Sequence, residues 1–147
     1  MTAVVDTSPI VVLGKIRRLD LLRALYGDVV LPPAVADEVV AKPDAIGPDL
    51  REFVTGAVRP VQDVQLARTL GVDLGRGESE AIALAAEIDD AILVMDDADA
   101  RRVARGLGLR VTGVLGVLVE AKSRGLVSSV SRCSMRSRPR DSASANR

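Results

Sequence analysis

Histidine does not occur among the 147 residues. Its absence excludes imidazole as general base, metal ligand or triad member. Tryptophan is also absent, and the only aromatic side chains are Tyr26 and Phe53. A single-strand binder that stacks bases on rings is therefore not expected. A single cysteine, Cys133, makes neither an internal disulfide nor a zinc cluster. No apolar run approaches the roughly 18 residues of a membrane span. The N-terminus lacks a basic segment followed by an apolar core, so no secretory signal is expected and the expected location is cytoplasmic. Any hydrolytic chemistry falls to carboxylates, hydroxyls, Lys or Arg, and a metal that such groups can hold.

The formal net charge is zero, but the charge is unevenly spread. Residues 128–147 carry Arg132, Arg136, Arg138, Arg140 and Arg147 against Asp141, a balance of +4, which leaves −4 on the rest. Bulk attraction to nucleic acid is thus not evident in residues 1–127. Apolar residues make up 48% of the chain, enough for one domain with a real core. The Ser- and Arg-rich stretch 128–147 has little apolar periodicity and reads as a loosely ordered tail.

Within residues 1–127, short apolar strands alternate with helical spacing. Ala3-Val4-Val5, Val29-Val30-Leu31, Ala91-Ile92-Leu93-Val94-Met95 and Arg110-Val111-Thr112 read as strands. Helices are expected from Ser8-Pro9, around Leu19 to Tyr26, from Pro33 through Val40, over 48–54 and over 64–70. Gly75-Arg76-Gly77 reads as a loop before an Ala-rich helix over 78–88, with further helices over 99–106 and 114–122. This alternation argues for an α/β fold, a parallel sheet covered on both faces.

Carboxylates recur at strand ends and helix starts. Asp6 follows the first strand, and Asp96 and Asp97 follow the most apolar one. In an open α/β sheet, that edge is where ligands bind. Capping accounts for one polar residue in Asp6-Thr7-Ser8-Pro9 but not for three. Glu38 lies three residues after Val35 and borders the face that packs on the sheet, whereas Asp37 turns toward water. Glu78 and Glu80 open the Ala-rich helix, where the helix dipole favours acids. Two residues apart, they point to nearly opposite sides, so at most one reaches the sheet edge. Asp97 or Asp99 suits an N-cap for the helix that carries Arg101 and Arg102. Clustered carboxylates without His or Cys suit Mg²⁺ or Mn²⁺ and phosphoryl chemistry.

The order of these segments resembles a PIN-domain protein of the VapC toxin type, close to a bacterial subgroup of uncharacterised PIN-like proteins. The resemblance rests on Val5-Asp6-Thr7-Ser8-Pro9, Leu31-Pro32-Pro33-Ala34-Val35-Ala36-Asp37-Glu38-Val39, and Leu74-Gly75-Arg76-Gly77-Glu78-Ser79-Glu80-Ala81-Ile82. It continues through Leu93-Val94-Met95-Asp96-Asp97-Ala98-Asp99-Ala100-Arg101 and Gly108-Leu109-Arg110-Val111-Thr112-Gly113-Val114-Leu115-Gly116, and covers residues 3 to about 127. It implies a three-layer α/β/α, Rossmann-like sandwich over 1–127. The implied activity is a Mg²⁺- or Mn²⁺-dependent single-strand endoribonuclease, the toxin of a VapBC-type toxin–antitoxin pair. Asp6, Glu38, Glu80 and Asp97 match the family's acids, Glu80 standing where many members carry aspartate. Asp99 matches an auxiliary acid, and Ser8 a polar residue beside the metal. Glu78 and Asp96 fit the subgroup pattern without being assigned as ligands. The implied partners are RNA, a small antitoxin that blocks the cleft or inserts an arginine into it, and a second copy in a homodimer. Segment 128–147 departs from the helical sequence that relatives of this subgroup carry there.

Two other readings fit the same acids. A phospho-acceptor receiver also has paired acids after a strand, but it wants a lysine after its last strand, where Val111-Thr112-Gly113 has none. A catalytically inactive PIN scaffold that only binds a partner is the other.

Overall fold

Val4 and Val5 lie at the centre of a four-stranded sheet and have no exposed surface. The structure, a computed structural model, describes residues 1–42 and 47–128. Its strands are β1 (Thr2–Val5), β2 (Asp28–Val30), β3 (Ala91–Val94) and β4 (Arg110–Thr112). They run in the order β2-β1-β3-β4, all parallel, with Val4 opposite both Val30 and Leu93. Parallel strands buried on both faces read as continuous apolar runs, which is what Val4-Val5 and Leu93-Val94-Met95 are. A short parallel bridge, Leu31 to Val58, lies beyond β2. The expected tail lies outside the described residues apart from Ser128.

Two helices join β1 to β2: α1 (Thr7–Lys15) and α2 (Asp20–Tyr26). Gly27, at φ +81°, makes the turn into β2, a conformation that favours glycine. From β2 the chain passes through α3 (Pro33–Val40), α4 (Pro48–Ala57), α5 (Val64–Leu70) and α6 (Arg76–Glu87) before reaching β3. Pro33 and Pro48 stand in the first turns of α3 and α4, where a missing N–H costs nothing. The last helices are α7 (Ala98–Gly106) and α8 (Val114–Ser123).

Right-handed crossovers sort these helices into two layers. The chain moves one way from β1 to β2 and the other way from β2 over to β3 and on to β4. Accordingly α1, α2 and α8 pack together on one face, while α6 and α7 cover the other, with α3 and α5 against α6. The result is the three-layer α/β/α sandwich expected from the sequence. The small residues Ala81 and Ala85 let α6 approach β1 and β3 closely, with Ile82 and Leu84 also fully buried.

Because the strand order reverses direction beside β1, a crevice opens at the carboxyl ends of β1 and β3. Such a switch point is where open α/β sheets bind ligands. Asp6 and Asp96-Asp97 are the residues that leave those two strands.

Candidate metal and active site

Asp6 is the first residue after β1, and its N–H continues the ladder by donating to the Val94 carbonyl at 3.0 Å. It occupies the N-cap position of α1, yet its side chain makes no capping hydrogen bond. Capping therefore does not account for this aspartate. It is only 6% exposed. Burial pushes its carboxyl up to about 6; the neighbouring Thr7 N–H opposes the shift, and the charges of Glu78, Glu38 and Asp97 add to it.

Glu38 reaches the same crevice from α3. Its Oε2 accepts a hydrogen bond from Thr7 Oγ1 at 2.8 Å, and its Oε1 accepts from the Gly77 N–H at 3.0 Å. The carboxylate thus bridges the starts of α1 and α6. Gly77 is required for this approach, because a Cβ there would stand inside the Glu38 carboxyl group. The Glu38 carboxylate thereby supplies the acceptor for the Gly77 N–H, one of the first N–H groups of α6 that lack an intrahelical partner.

The acids after β3 anchor two helices. Asp97 Oδ1 accepts the Ala100 N–H at 2.9 Å and caps α7. Asp96 Oδ1 accepts the Val114 N–H at 3.0 Å and ties β3 to the start of α8. Each carboxylate keeps a second oxygen for other work. Both face a cleft of about 580 Å³ that is also lined by Asp6, Thr7, Ser8, Glu38, Glu78 and Lys42.

Glu78 rather than Glu80 enters this cleft. The segment expected as a loop, Gly75-Arg76-Gly77, instead begins the helix, with Gly75 at the N-cap. Glu78 is then the third helical residue, and its Oε1 turns back to accept the Gly75 N–H at 3.1 Å. Burial raises its carboxyl, Gly75 opposes the shift, and Asp97, Glu38 and Asp99 raise it further. Glu80 lies on the other side of α6, 19% exposed. It accepts the Ala34 N–H at 3.1 Å and pairs with Arg76 at 3.3 Å, beside a separate cavity of about 470 Å³. The expectation that Glu80 converges with the other acids is corrected: its carboxylate ties α6 to the start of α3. The signal that favours Glu78 is local. A glycine N-cap makes the acid three residues on turn toward the helix start, whereas the acid four residues after Arg76 pairs outward.

Asp99 does not line the cleft either. It is 74% exposed and pairs with Arg102 at 2.9 Å, reaching Glu78 only through its field. The structure therefore brings together Asp6, Glu38 and Asp97 from the expected set, adds Glu78 and Asp96, and leaves out Glu80 and Asp99.

Among the described residues, no three of these acids stand close enough to share one ion as they are placed. The donors are nonetheless all oxygens, and the buried Asp6 carboxyl has no cation paired with it among the described residues. Mg²⁺ keeps several waters and binds through one or two carboxylates plus substrate phosphates, not in an all-protein cage. A roomy cleft with oxygen donors on several walls meets that demand.

No helix among the described residues is long and apolar enough to cross a membrane. Neither a curated protein nor a solved structure matches the chain. A family model described as PIN domain matches residues 2–136, and the chain belongs to the PIN-domain family.

Proposed function

We propose that this protein is a metal-dependent single-strand endoribonuclease, the toxin of a VapBC-type pair, with its site built from Asp6, Glu38, Glu78 and Asp97. PIN domains are generally nucleases and typically use divalent metals. The observation that carries the proposal is the buried Asp6, which shares the cleft with Glu38, Glu78 and Asp97 and has its carboxyl raised by burial and by all three. Such an excess of negative charge at a sheet switch point is costly unless a cation enters it.

Mg²⁺ or Mn²⁺, when bound, supplies charge neutralisation for the phosphodiester and a more acidic water. The protein supplies the placement. Asp6 and Asp97 hold carboxylates at the ends of β1 and β3, and Glu38 is locked by Thr7 and Gly77. Glu78, with its proton affinity raised, is the acid suited to take a proton from the attacking water. The same acidic cleft suits the guanidinium of an inhibitor, so a small antitoxin that inserts an arginine is the proposed partner. A homodimer and a cytoplasmic location complete the proposal.

The test is cleavage of single-stranded RNA by purified protein with Mg²⁺ or Mn²⁺, stopped by EDTA. Asp97→Asn keeps the Ala100 cap through its amide oxygen and should abolish cleavage with the fold intact. A folded wild-type chain inert on varied RNAs with either ion would point to an inactive scaffold. Cleavage that persists in Asp97→Asn would overturn the mechanism.

A further inference from the structure

Arg101 Nε is the one buried side-chain nitrogen or oxygen among the described residues without a hydrogen-bond partner. A charged donor withdrawn from water and left unpaired is costly, and it is rarely kept without a use. Arg101 reaches from α7 over Gly113, the residue that begins α8. Its Nη1 lies 3.2 Å from where a Gly113 Cβ would stand, and Asp96 Oδ1 crowds the same space. Arg101 does not itself line the acidic cleft, but it stands beside Asp96, which does. On the opposite side, Lys42 lines the cleft just after α3. Neither cation forms an ion pair among the described residues.

The sheet order puts the two at opposite ends of the crevice. Lys42 follows the helix that issues from β2, and Arg101 stands over the turn that leaves β4, with Asp6 and Asp97 between them at β1 and β3. Three strand spacings of about 4.8 Å give roughly 14 Å of edge. A phosphodiester drawn into a cleft of carboxylates meets repulsion on both flanks of the bound cation. Cations at the two ends relieve it where the neighbouring phosphates would lie.

We propose that Arg101 and Lys42 are phosphate-holding residues, so that a single strand crosses the sheet edge from the β2 side to the β4 side with its scissile group over the carboxylates. The inference rests on the nuclease reading but is tested apart from it. Arg101 suits the role better than lysine would, because its planar group can present Nη1 and Nη2 together to one phosphate while Nε stays buried.

The experiment measures binding of a fluorescein-labelled, mixed-sequence single-stranded RNA by the full chain carrying Asp97→Asn, with Mg²⁺ present, across a salt series. Adding Arg101→Gln should raise Kd about 10-fold and shrink the slope of log K against log salt by about 0.7, the loss of one phosphate contact on a single strand. Arg101→Lys should keep the slope, and Lys42→Ala should lose a similar amount. In chains with Asp97 restored, both variants should raise KM with kcat nearly unchanged. An Arg101 with a merely structural role would lower the melting temperature or kcat and leave the salt slope alone, which overturns the proposal. If Arg101→Gln fails to fold, exposed Lys42 carries the test, and an unchanged slope in Lys42→Ala overturns it. A wild-type chain that cuts no RNA but binds it with an Arg101-dependent slope supports this inference and sinks the nuclease reading. A chain that cuts RNA with slopes indifferent to both residues does the reverse.

Discussion

Glu38 and Gly77 meet so closely that the Glu38 carboxyl group fills the space a side chain at position 77 would need. Gly77 stands inside α6, where alanine would by itself be favoured by about 1 kcal/mol. Gly77→Ala should therefore leave the melting temperature little changed but push the Glu38 carboxylate out of place. Displacements of about 1 Å at such sites cost on the order of 100-fold in rate. Wild-type kcat/KM in Gly77→Ala would show that the position of Glu38 is not used.

Glu78 and Glu80 should separate cleanly in mutagenesis. Glu78→Gln removes a charge from the cleft and should lower kcat/KM by at least about 100-fold, within the range for a general base. Glu80→Gln keeps an acceptor for the Ala34 N–H and loses only the exposed pairing with Arg76. That pairing is worth at most about 1 kcal/mol, so activity should stay within a few-fold of wild type. The reverse pattern in steady-state kinetics would return Glu80 to the site.

On the proposed function, Asp6 should tie metal binding to pH. Its folded carboxyl sits at about 6 against an ordinary 3.8, so between those values the folded chain holds more protons than the unfolded one. Stability of the metal-free protein should fall as pH rises through this window, by about 3 kcal/mol at most. Asp6→Asn should flatten that profile and be the more stable chain above pH 6 without metal. Mg²⁺ at about 100 times its Kd should restore about 2.7 kcal/mol to wild type and much less to Asp6→Asn. Melting curves across pH, with Mg²⁺ and with EDTA, read all of this directly.

Asp99 should matter little. It is exposed, paired with Arg102, and acts on Glu78 only at a distance. Asp99→Asn should change kcat/KM by less than about 3-fold, and the change should fade as ionic strength rises and screening shortens the reach of surface charges. A loss near that of Asp97→Asn, unaffected by salt, would place Asp99 among the ligands.

The strands were legible because a parallel sheet buried on both faces leaves continuous apolar runs, such as Leu93-Val94-Met95. Acids directly after two such strands likewise marked the sheet edge at which the candidate site lies. The sequence also foretold that only one of Glu78 and Glu80 could reach that edge, because residues two apart on a helix diverge. Which one did so was decided by the helix start, a local matter, together with a tertiary contact that holds Glu80. The helix starts at Arg76, since Gly75 serves as its N-cap and Glu78 returns to the Gly75 N–H, while Ala34 on α3 and Arg76 hold Glu80 on the far side. Local periodicity carries no information about Ala34, which is 46 residues away. The same holds for the clearance at Gly77 and Gly113. A glycine in sequence signals freedom, but only the packed fold shows that Glu38 fills one space and that Asp96 and Arg101 crowd the other.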